Sequence, residues 1–310
     1  MQQPKGCCTS FSMPECAFLT MADMGDFVND DTPAVTLLRE QGWHVDCLPW
    51  DQQVDWAGYD VVVIRSTWDY HERPSHFLSV LAEIDRSDTR LYNPISLVRW
   101  NLDKSYLRDL QNRGVPIVPT LYSEHLSSSE ALLDHFDAFD SEELILKPPV
   151  NVNAFNTFRV PKPEYEALLP ELLAVFGARP YMVQPFMPAI ISEGEYSLIY
   201  LNGRFSHAIL KTPHNDDFRV QEEHGGIIRA VKAEERLLDS GRRAIEAVPG
   251  KPLYARIDMV RGGGDFLLME LELIEPSLYL RMDPDAPKRF ADALTSVYLE
   301  TRFFHQPKTN

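Results

Sequence analysis

Strands and helices alternate along the first third of the chain. Glu15–Thr20 and residues 61–64 are short apolar runs, and residues 31–41 have the apolar spacing of a helix. Residues 61–64 are apolar at every position, which is typical of a strand buried on both faces of a parallel sheet. The pattern predicts an α/β fold that begins with an open parallel βαβ domain at 15–115, preceded by a flexible extension at 1–14.

Two apolar stretches near the carboxyl end are joined by a glycine turn. Residues 254–260 and 266–274 are rich in branched, aromatic and long apolar side chains, and the residues between them have the composition of a tight turn. With a loop at 262–264, Arg261 would face Asp265. The sequence thus predicts an antiparallel hairpin.

Three carboxylates of this hairpin share one face in that register. Arg256 would lie opposite Glu270, and side-chain alternation places Asp258, Glu270 and Glu272 on the same side. A shorter, two-residue loop would shift the register and move Asp258 to the other face. Acidic alternation alone is more often a solvated strand face. Carboxylates crowded around one arginine nevertheless favour a bound cation, and hard oxygen ligands suit Mg²⁺.

The composition excludes several functional classes. The chain has 310 residues, enough for two domains, and a formal net charge of −16 from 30 basic and 46 acidic residues. This charge argues against nucleic-acid partners and against an anionic membrane surface, because both need clustered Lys and Arg. No apolar run approaches the ~20 residues of a transmembrane helix, and the start lacks the features of a secretory signal.

The cysteines indicate a reducing compartment. The 4 cysteines have neither the spacing of a zinc site nor that of a disulfide framework. We therefore expect free thiols in a cytoplasmic protein, with Cys7 and Cys8 in the flexible extension. Translation could start at Met1 or at Met13.

A polar and aromatic segment, RSTWDY at 65–70, follows the buried strand. In open α/β sheets, ligands bind beyond the carboxyl ends of the strands, so Arg65, Thr67 and Asp69 are candidate substrate contacts. Arg65 offers a bidentate fork for a carboxylate. The alternative is that Arg65 pairs with Asp69 in a turn that caps the next helix.

Two lysines are candidates for contacts with phosphate. Helical periodicity at 95–113 predicts a helix that carries Lys104, and Lys147 ends an apolar strand. A lysine at a strand end can lay its stem along apolar surface while its ammonium contacts an anion. The glycine-free loop at 148–158 is either an ordinary polar hairpin or part of a mobile lid. For Lys104 alone, a solvated side chain is the ordinary alternative.

A strand at 181–185 runs into a connector that could hold a base. Because Pro185 and Pro188 lack an N–H, Phe186 and Met187 supply the backbone donors of the connector. The Pro185 carbonyl and the Met187 amide have a spacing that suits an adenine edge. Most such strands, however, are ordinary core.

Taken in this order, the segments resemble the ATP-grasp superfamily over residues 93–280. The stretches PAIISEGEYSLIYLNGRFSHAILKTP, DDFRVQEEHGG, YARIDMV and MELELIEPSL resemble its glutathione-synthetase-like branch. RSTWDY, NLDKSYL and ELELIEPSLYL resemble the group that contains the D-cycloserine-forming cyclo-ligase. The resemblance implies an α+β ATP-grasp domain after the amino-terminal domain, with a lid at about 116–190 and a core at about 191–310.

The resemblance also implies roles for individual residues. The residues that bind ATP would be Lys104, Lys147, Gln184, Phe186, Met187 and Glu195, with the lysines at the phosphates and Glu195 at the ribose. Two Mg²⁺ ions, for which Mn²⁺ could substitute, would be held by Asp258, Glu270 and Glu272. Lys147 and Arg219 would be catalytic, and the substrate contacts would be Arg65, Thr67, Asp69 and Ser277, all facing one cleft.

Two features depart from the superfamily pattern. Glu272 stands where asparagine is usual, which adds negative charge to the metal site. The loop after Lys147 lacks the usual glycines.

The implied function is that of an ATP-dependent carboxylate–amine ligase or cyclo-ligase. A carboxylate would attack the γ-phosphate of ATP to give an acyl phosphate and ADP, and an amine would then displace phosphate. The substrate would be small and amino-acid-like. A kinase-like ATP-grasp phosphotransferase and a catalytically retired nucleotide sensor are the alternatives. Many members of the superfamily are dimers, so a homodimer is also expected.

Overall fold

The described part of the chain forms three sheets with helices around them. The computed structural model describes residues 13–25, 27–150, 156–214 and 217–304. The strands are β1 Glu15–Thr20, β2 His44–Pro49, β3 Val61–Ser66, β4 Arg90–Tyr92, β5 Leu121–Ser123, β6 Glu143–Lys147, β7 Phe158–Pro161, β8 Tyr181–Pro185, β9 Glu195–Leu201, β10 Arg204–Thr212, β11 Ile227–Val231, β12 Tyr254–Gly262 and β13 Asp265–Glu272. The helices are α1 Thr32–Glu40, α2 Pro74–Arg86, α3 Ile95–Asn101, α4 Tyr106–Asn112, α5 Ser129–Phe139, α6 Tyr165–Phe176, α7 Ala189–Ser192, α8 Glu235–Glu246 and α9 Ala286–Phe304.

Parts of the predicted extension and lid loop lie outside the described residues. These parts are residues 1–12, with Cys7 and Cys8, and residues 151–155. Among the helices that the structure describes, none is both long enough and apolar enough to cross a membrane.

The amino-terminal sheet is parallel, as its sequence pattern predicts. Its strand order is β2-β1-β3-β4. Every residue of β3 is buried, because α2 and α3 cover one face of the sheet while α1 and α9 cover the other. The open parallel βαβ arrangement is therefore confirmed.

Helix α9 brings the carboxyl end of the described chain back to this sheet. The rings of Phe290 and Phe18 are 6.0 Å apart, and those of Tyr298 and Trp43 are 4.9 Å apart. The Trp43 indole also donates to Thr295 across the same contact, at 3.2 Å. The last helix thus ties the carboxyl-terminal part of the chain to the amino-terminal sheet.

The other two sheets are antiparallel. The middle sheet has the order β5-β8-β6-β7. Helices α5 and α6 pack with it in one apolar core. The larger sheet has the order β11-β10-β9-β12-β13 and is covered by α4 and α8. The three sheets confirm the mixed parallel and antiparallel α/β fold that the sequence predicts.

The turn between β12 and β13 differs from its prediction. Gly262 pairs with Asp265, so the loop is the pair Gly263–Gly264 rather than three glycines. Both have positive φ, 62° and 83°, which glycine adopts at little cost and which matches the right-handed twist of a hairpin. The expected pairing of Arg261 with Asp265 is therefore wrong.

A β-bulge nevertheless keeps the carboxylates on one face. Met259 pairs with Leu268 and Asp258 pairs with Glu270, so Met269 is the additional residue. The bulge reverses the shift that the short loop causes. As a result Asp258 lies directly opposite Glu270, and Arg256 lies opposite Glu272 rather than Glu270.

Two buried asparagines fix this hairpin to the preceding segment. The Asn93 side chain donates to the carbonyls of Tyr254 and Leu273, at 3.0 and 2.7 Å. The Asn101 side chain donates to the Leu271 carbonyl and accepts from the Leu273 amide, both at 2.8 Å. The ends of the two acidic strands are thereby held in place by side-chain hydrogen bonds.

The predicted helix through Lys104 is broken. Helix α3 ends at Asn101 and α4 begins at Tyr106, so Lys104 lies in the link between them. Its amide donates to the Pro149 carbonyl at 2.9 Å, and its carbonyl accepts from the Tyr122 hydroxyl at 2.9 Å. These contacts outside the helix replace the intrahelical bonds and set the direction of the lysine side chain.

Candidate active site

A cleft runs between the three sheets and collects most of the predicted site residues. It encloses about 1520 Å³, a volume that includes open solvent at its mouth. The predicted residues that line it are Lys104, Lys147, Gln184, Phe186, Met187, Glu195, Arg219, Glu270, Glu272 and Ser277. One cleft therefore brings together residues predicted to bind ATP, metal and substrate.

Asp258 lies just behind the acidic wall of the cleft, where cations hold it. Arg256 contacts both of its oxygens, at 3.2 and 3.1 Å, and the Lys211 ammonium is 3.4 Å away. The Ser197 hydroxyl also donates to it. Burial alone would raise the pKa of Asp258, but Arg256 and Lys211 outweigh burial and hold that pKa below its usual value.

Lys211 is a buried part of this network rather than a surface charge. Its side chain is 3% exposed and forms ion pairs with Glu195 and Asp258. The sequence alone does not identify this role, because isolated basic residues in an acidic protein are normally surface charges. One ammonium thus compensates two buried carboxylates from neighbouring strands.

Two lysines from separate elements meet at Glu270. The Lys104 ammonium is 2.9 Å from the Glu270 carboxylate. Burial lowers the pKa of Lys147, and although Glu270 opposes this, the nearby positive charge of Lys104 lowers it further. Two buried ammonium groups that repel one another favour an anion between them. This part of the cleft can therefore bind phosphate.

The carboxylates at the cleft wall carry more negative charge than their neighbours offset. Burial raises the pKa of Glu272 to about 7 even though Arg256 contacts it, since Glu270 and Asp258 repel its charge. Oxygen ligands with excess negative charge suit Mg²⁺. As they stand, no three acidic, His or Cys side chains among the described residues form a ready metal-binding group, because each carboxylate is turned towards a cation. The chemistry of Glu270 and Glu272 fits a divalent ion.

Another part of the cleft wall is apolar. Val118, Ile145, Met187, Ile190 and Met269 line it. Such a pocket suits a flat base.

The backbone and side chains of the connector complete this pocket. The Phe186 amide, one of the two predicted backbone donors of the connector, donates to the Glu143 carbonyl at 2.9 Å. The adenine edge is predicted to bind the Pro185 carbonyl and the Met187 amide instead. Arg159 packs over the Phe186 ring with its guanidinium carbon 4.0 Å from the centroid. Gln184 is buried and donates to Thr120 at 2.9 Å.

Arg219 reaches the cleft from the loop between β10 and β11. Its guanidinium pairs with Asp217 at 2.8 Å and its side chain is 39% exposed. The loop is held at its other end by Arg281, which contacts both Glu222 and Asp30 at 2.6 Å. Asp30 precedes α1, so this arginine connects the Arg219 loop to the amino-terminal domain.

Arg65, Thr67 and Asp69 are not among the residues that line the cleft. Arg65 is 3% exposed, and two of its guanidinium nitrogens donate to one carboxylate oxygen of Asp31, at 3.0 and 2.8 Å. It also packs over the Tyr254 ring, at 5.1 Å from the centroid. The expected carboxylate clamp is therefore wrong, and so is the pairing with Asp69, because the partner is Asp31, which directly precedes α1.

The other two residues of that segment are also turned away. Thr67 is fully buried, and Asp69 accepts from the Trp50 indole at 2.7 Å. Trp68 and Tyr70 of the same segment do line the cleft. The location of the segment is as expected, but the turn that follows β3 directs its aromatic residues, rather than its charged ones, to the cleft.

Cleft residues that sequence reasoning missed include Arg256, Glu275 and Tyr279. Glu275 follows β13 directly and belongs to the IEPSL stretch, which offered the signal that could have identified it. Burial and repulsion by Glu272 raise the pKa of Glu275 to about 8.

Family models match two successive parts of the chain. The model of the N-terminal domain of the D-cycloserine synthetase DcsG matches residues 16–93. The ATP-grasp domain of prokaryotic glutathione synthetase matches residues 117–249. Residues 94–116 separate the two matches, between the last strand of the parallel sheet and the first strand of the antiparallel ones.

Curated relatives extend over most of the chain. The cycloserine biosynthesis protein DcsG of Streptomyces lavendulae is 32% identical over 281 residues, which is 86% of this chain and 92% of the relative. A glutathione synthetase of Rhodopseudomonas palustris is 26% identical over 234 residues, 73% of this chain and 68% of the relative.

Solved structures agree with the sequence relatives. The crystal structure of the D-cycloserine synthetase DcsG superposes with a TM-score of 0.81 at 29% identity, covering 92% of this chain and 99% of that one. The D-alanine–D-alanine ligase of Bacillus anthracis shares the fold, with a TM-score of 0.66 at 14% identity over 95% of this chain and 100% of that one. ATP-grasp ligases use ATP and divalent metal ions. The chain therefore belongs to the ATP-grasp ligases, in the family of this D-cycloserine synthetase and alongside the glutathione synthetases, and is an enzyme that forms carbon–nitrogen bonds.

Proposed function

We propose that the protein uses ATP to activate the carboxylate of a small amino-acid-like substrate as an acyl phosphate. An amine, in the same molecule or in a second one, then displaces phosphate to form the new bond. The observation that carries the proposal is the set of groups that line one cleft: apolar side chains, two lysines, two carboxylates of the acidic wall and an arginine. These groups would suit a base, its phosphates, their metal ions and a transferring group.

Lys104 and Lys147 would hold the phosphates. Both ammonium groups are buried in the cleft wall, where water screens them little. Positive charge that is already in place stabilises developing negative charge without further reorganisation. Glu270 accepts from Lys104, which keeps the lysine directed into the cleft.

In the apolar part of the cleft, the Met187 backbone and the surrounding apolar side chains would take the adenine, with Gln184 and Phe186 beside it. Glu195 would accept from the ribose.

Asp258, Glu270 and Glu272 would hold two Mg²⁺ ions, for which Mn²⁺ could substitute. When bound, such ions neutralise charge on the transferring phosphoryl oxygens. The raised pKa of Glu272 supports a cation at this wall. Asp258 supports the site from behind through its contacts with Arg256.

Arg219 would stabilise the acyl phosphate and the tetrahedral intermediate. Because it is partly exposed and its ion pair among the described residues is with its near neighbour Asp217, it can turn towards a substrate at low cost. A closed cleft protects an acyl phosphate from water. We propose the division of the chain accordingly: an amino-terminal domain at 15–115 forms the substrate side, a lid spans about 116–190, and a core spans about 191–310.

The experiment is a two-product assay. The purified protein is incubated with Mg²⁺, ATP and single amino acids or simple carboxylates, with hydroxylamine as a general acceptor. ADP and the hydroxamate are measured together. We expect both in equal amounts. ADP without hydroxamate would indicate a kinase, and neither product from any carboxylate would contradict the proposed function.

A further inference from the structure

One end of the cleft remains after the nucleotide and metal roles have been assigned. There the turn after β3 meets the segment after β13. Trp68 and Tyr70 line the cleft from the amino-terminal side, and Glu275 and Ser277 line it from the core side. The four residues lie close to the acidic wall, since Glu275 is separated from Glu272 by two residues of the chain.

The amino-terminal domain holds Glu275 at its backbone and places a phenol beside its side chain. The Trp68 indole donates to the Glu275 carbonyl at 2.9 Å. The Tyr70 hydroxyl lies beside the Glu275 carboxylate, whose charge adds to burial in raising the pKa of that phenol. Tyr70 is itself fixed, being 5% exposed and stacked on Phe77 with the ring centroids 4.6 Å apart. Glu275 is thus anchored by its backbone at the cleft surface, next to a fixed ring.

The charges around Glu275 leave its carboxylate undercompensated. Glu272 repels it, and Lys104 and Arg256 offset burial and this repulsion only in part, so its pKa is raised to about 8. A bound cation would remove the imbalance. A magnesium ion fits poorly at this point, because the neighbouring groups are a phenol and an indole rather than further hard oxygen ligands.

We propose that Glu275 binds a protonated amino group on the carboxylate substrate, with Tyr70 as the residue that positions it and the Trp68 ring as a wall. This inference rests on the proposed function and adds to it the residue that recognises the amino group of the substrate. An ammonium group donates several hydrogen bonds to a carboxylate, and an aromatic ring nearby adds favourable electrostatics. Glu275 is therefore a specificity residue.

The test compares amino acids with matched carboxylates that lack the amino group. D-alanine and L-alanine are paired with propionate, and D-serine and L-serine with 3-hydroxypropionate, at fixed Mg²⁺ and ATP with hydroxylamine as the acceptor. Wild-type protein should prefer the amino-bearing member of at least one pair. Glu275→Gln keeps the shape of the side chain and removes its charge. It should lower kcat/KM for that amino acid about 10- to 100-fold and leave the matched carboxylate nearly unchanged.

Two further variants separate recognition from folding. Tyr70→Phe keeps the ring and should lower the same preference about 3- to 10-fold. Glu223→Gln removes another glutamate of the cleft, on the Arg219 loop, and should leave the preference unchanged. Equal losses for both members of a pair in Glu275→Gln, or a wild type without any preference, would overturn the inference while the proposed function stands. A wild type that forms no hydroxamate at all would overturn the proposed function, and the inference with it.

Discussion

Lys211→Met tests whether the acidic face is stabilised by a single buried ammonium. Methionine keeps the length of the side chain and removes its charge. Lys211 is 3% exposed and pairs with Glu195 and Asp258, whose side chains are 11% and 4% exposed. Without it, two buried carboxylates would share Arg256 alone. Removing one partner of a buried ion pair costs about 3–5 kcal/mol.

The thermal transition reports this cost directly. For domains somewhat smaller than this chain, 1 kcal/mol corresponds to roughly 2–4 °C in Tm, so we expect a fall of about 5–15 °C for Lys211→Met. The double variant Lys211→Met/Glu195→Gln should recover at least half of the loss, because it no longer contains the stranded Glu195 charge. The assay is a thermal scan of the ligand-free protein at low salt.

A surface pair supplies the control. Lys288 pairs with Asp292 on α9, with side chains 66% and 48% exposed, and exposed pairs contribute about 0–1 kcal/mol. Lys288→Met should therefore change Tm by less than about 3 °C. If Lys211→Met lowered Tm no more than Lys288→Met does, or if Glu195→Gln failed to rescue it, the reasoning would be refuted.

Single substitutions at three other positions separate chemistry from folding. Glu270→Gln should reduce ATP turnover about 100-fold or more while the protein remains folded, and normal turnover in Mg²⁺ would contradict its role at the metal site. A Cβ at Gly226 would lie 2.0 Å from the Val220 carbonyl oxygen. Gly226→Ala should therefore displace the Arg219 loop and lower kcat more than about 10-fold. An unchanged kcat would argue against a catalytic role for the Arg219 loop. Burial lowers the pKa of His207 from 6.5. Because its folded pKa lies below its unfolded pKa, the free energy of unfolding should fall as pH drops from 6.5 towards about 5, and His207→Gln should flatten that slope in denaturant titrations.

Periodicity and turn chemistry are local properties, and the features that depend on them are predictable from the sequence. The all-apolar run at 61–64 becomes the fully buried β3, and the alternation of strands and helices becomes the parallel sheet. The acidic alternation at 270 and 272 places its carboxylates on one face of β13, although the turn itself was predicted incorrectly. The bulge at Met269 has no signal in the apolar pattern, since apolar residues lie on both sides of it.

The sequence does not reveal which side chains from distant parts of the chain become partners. Arg65 pairs with Asp31 across 34 positions, while a local reading offers Asp69 as the nearest carboxylate. Lys211 becomes buried because β10 pairs with β9 and brings Glu195 opposite it. Each depends on tertiary packing, which decides both burial and the charge that faces a residue.

Oxygen tracing tests the central claim of the account, that the carboxylate itself is phosphorylated before the carbon–nitrogen bond forms. The carboxylate that yields the most hydroxamate is prepared with both oxygens as ¹⁸O and turned over with unlabelled ATP and Mg²⁺, and the released phosphate is analysed by mass spectrometry. Attack of the carboxylate on the γ-phosphate predicts that each phosphate released carries one ¹⁸O atom. Phosphate that contains no ¹⁸O, while the hydroxamate accumulates normally, would contradict the account.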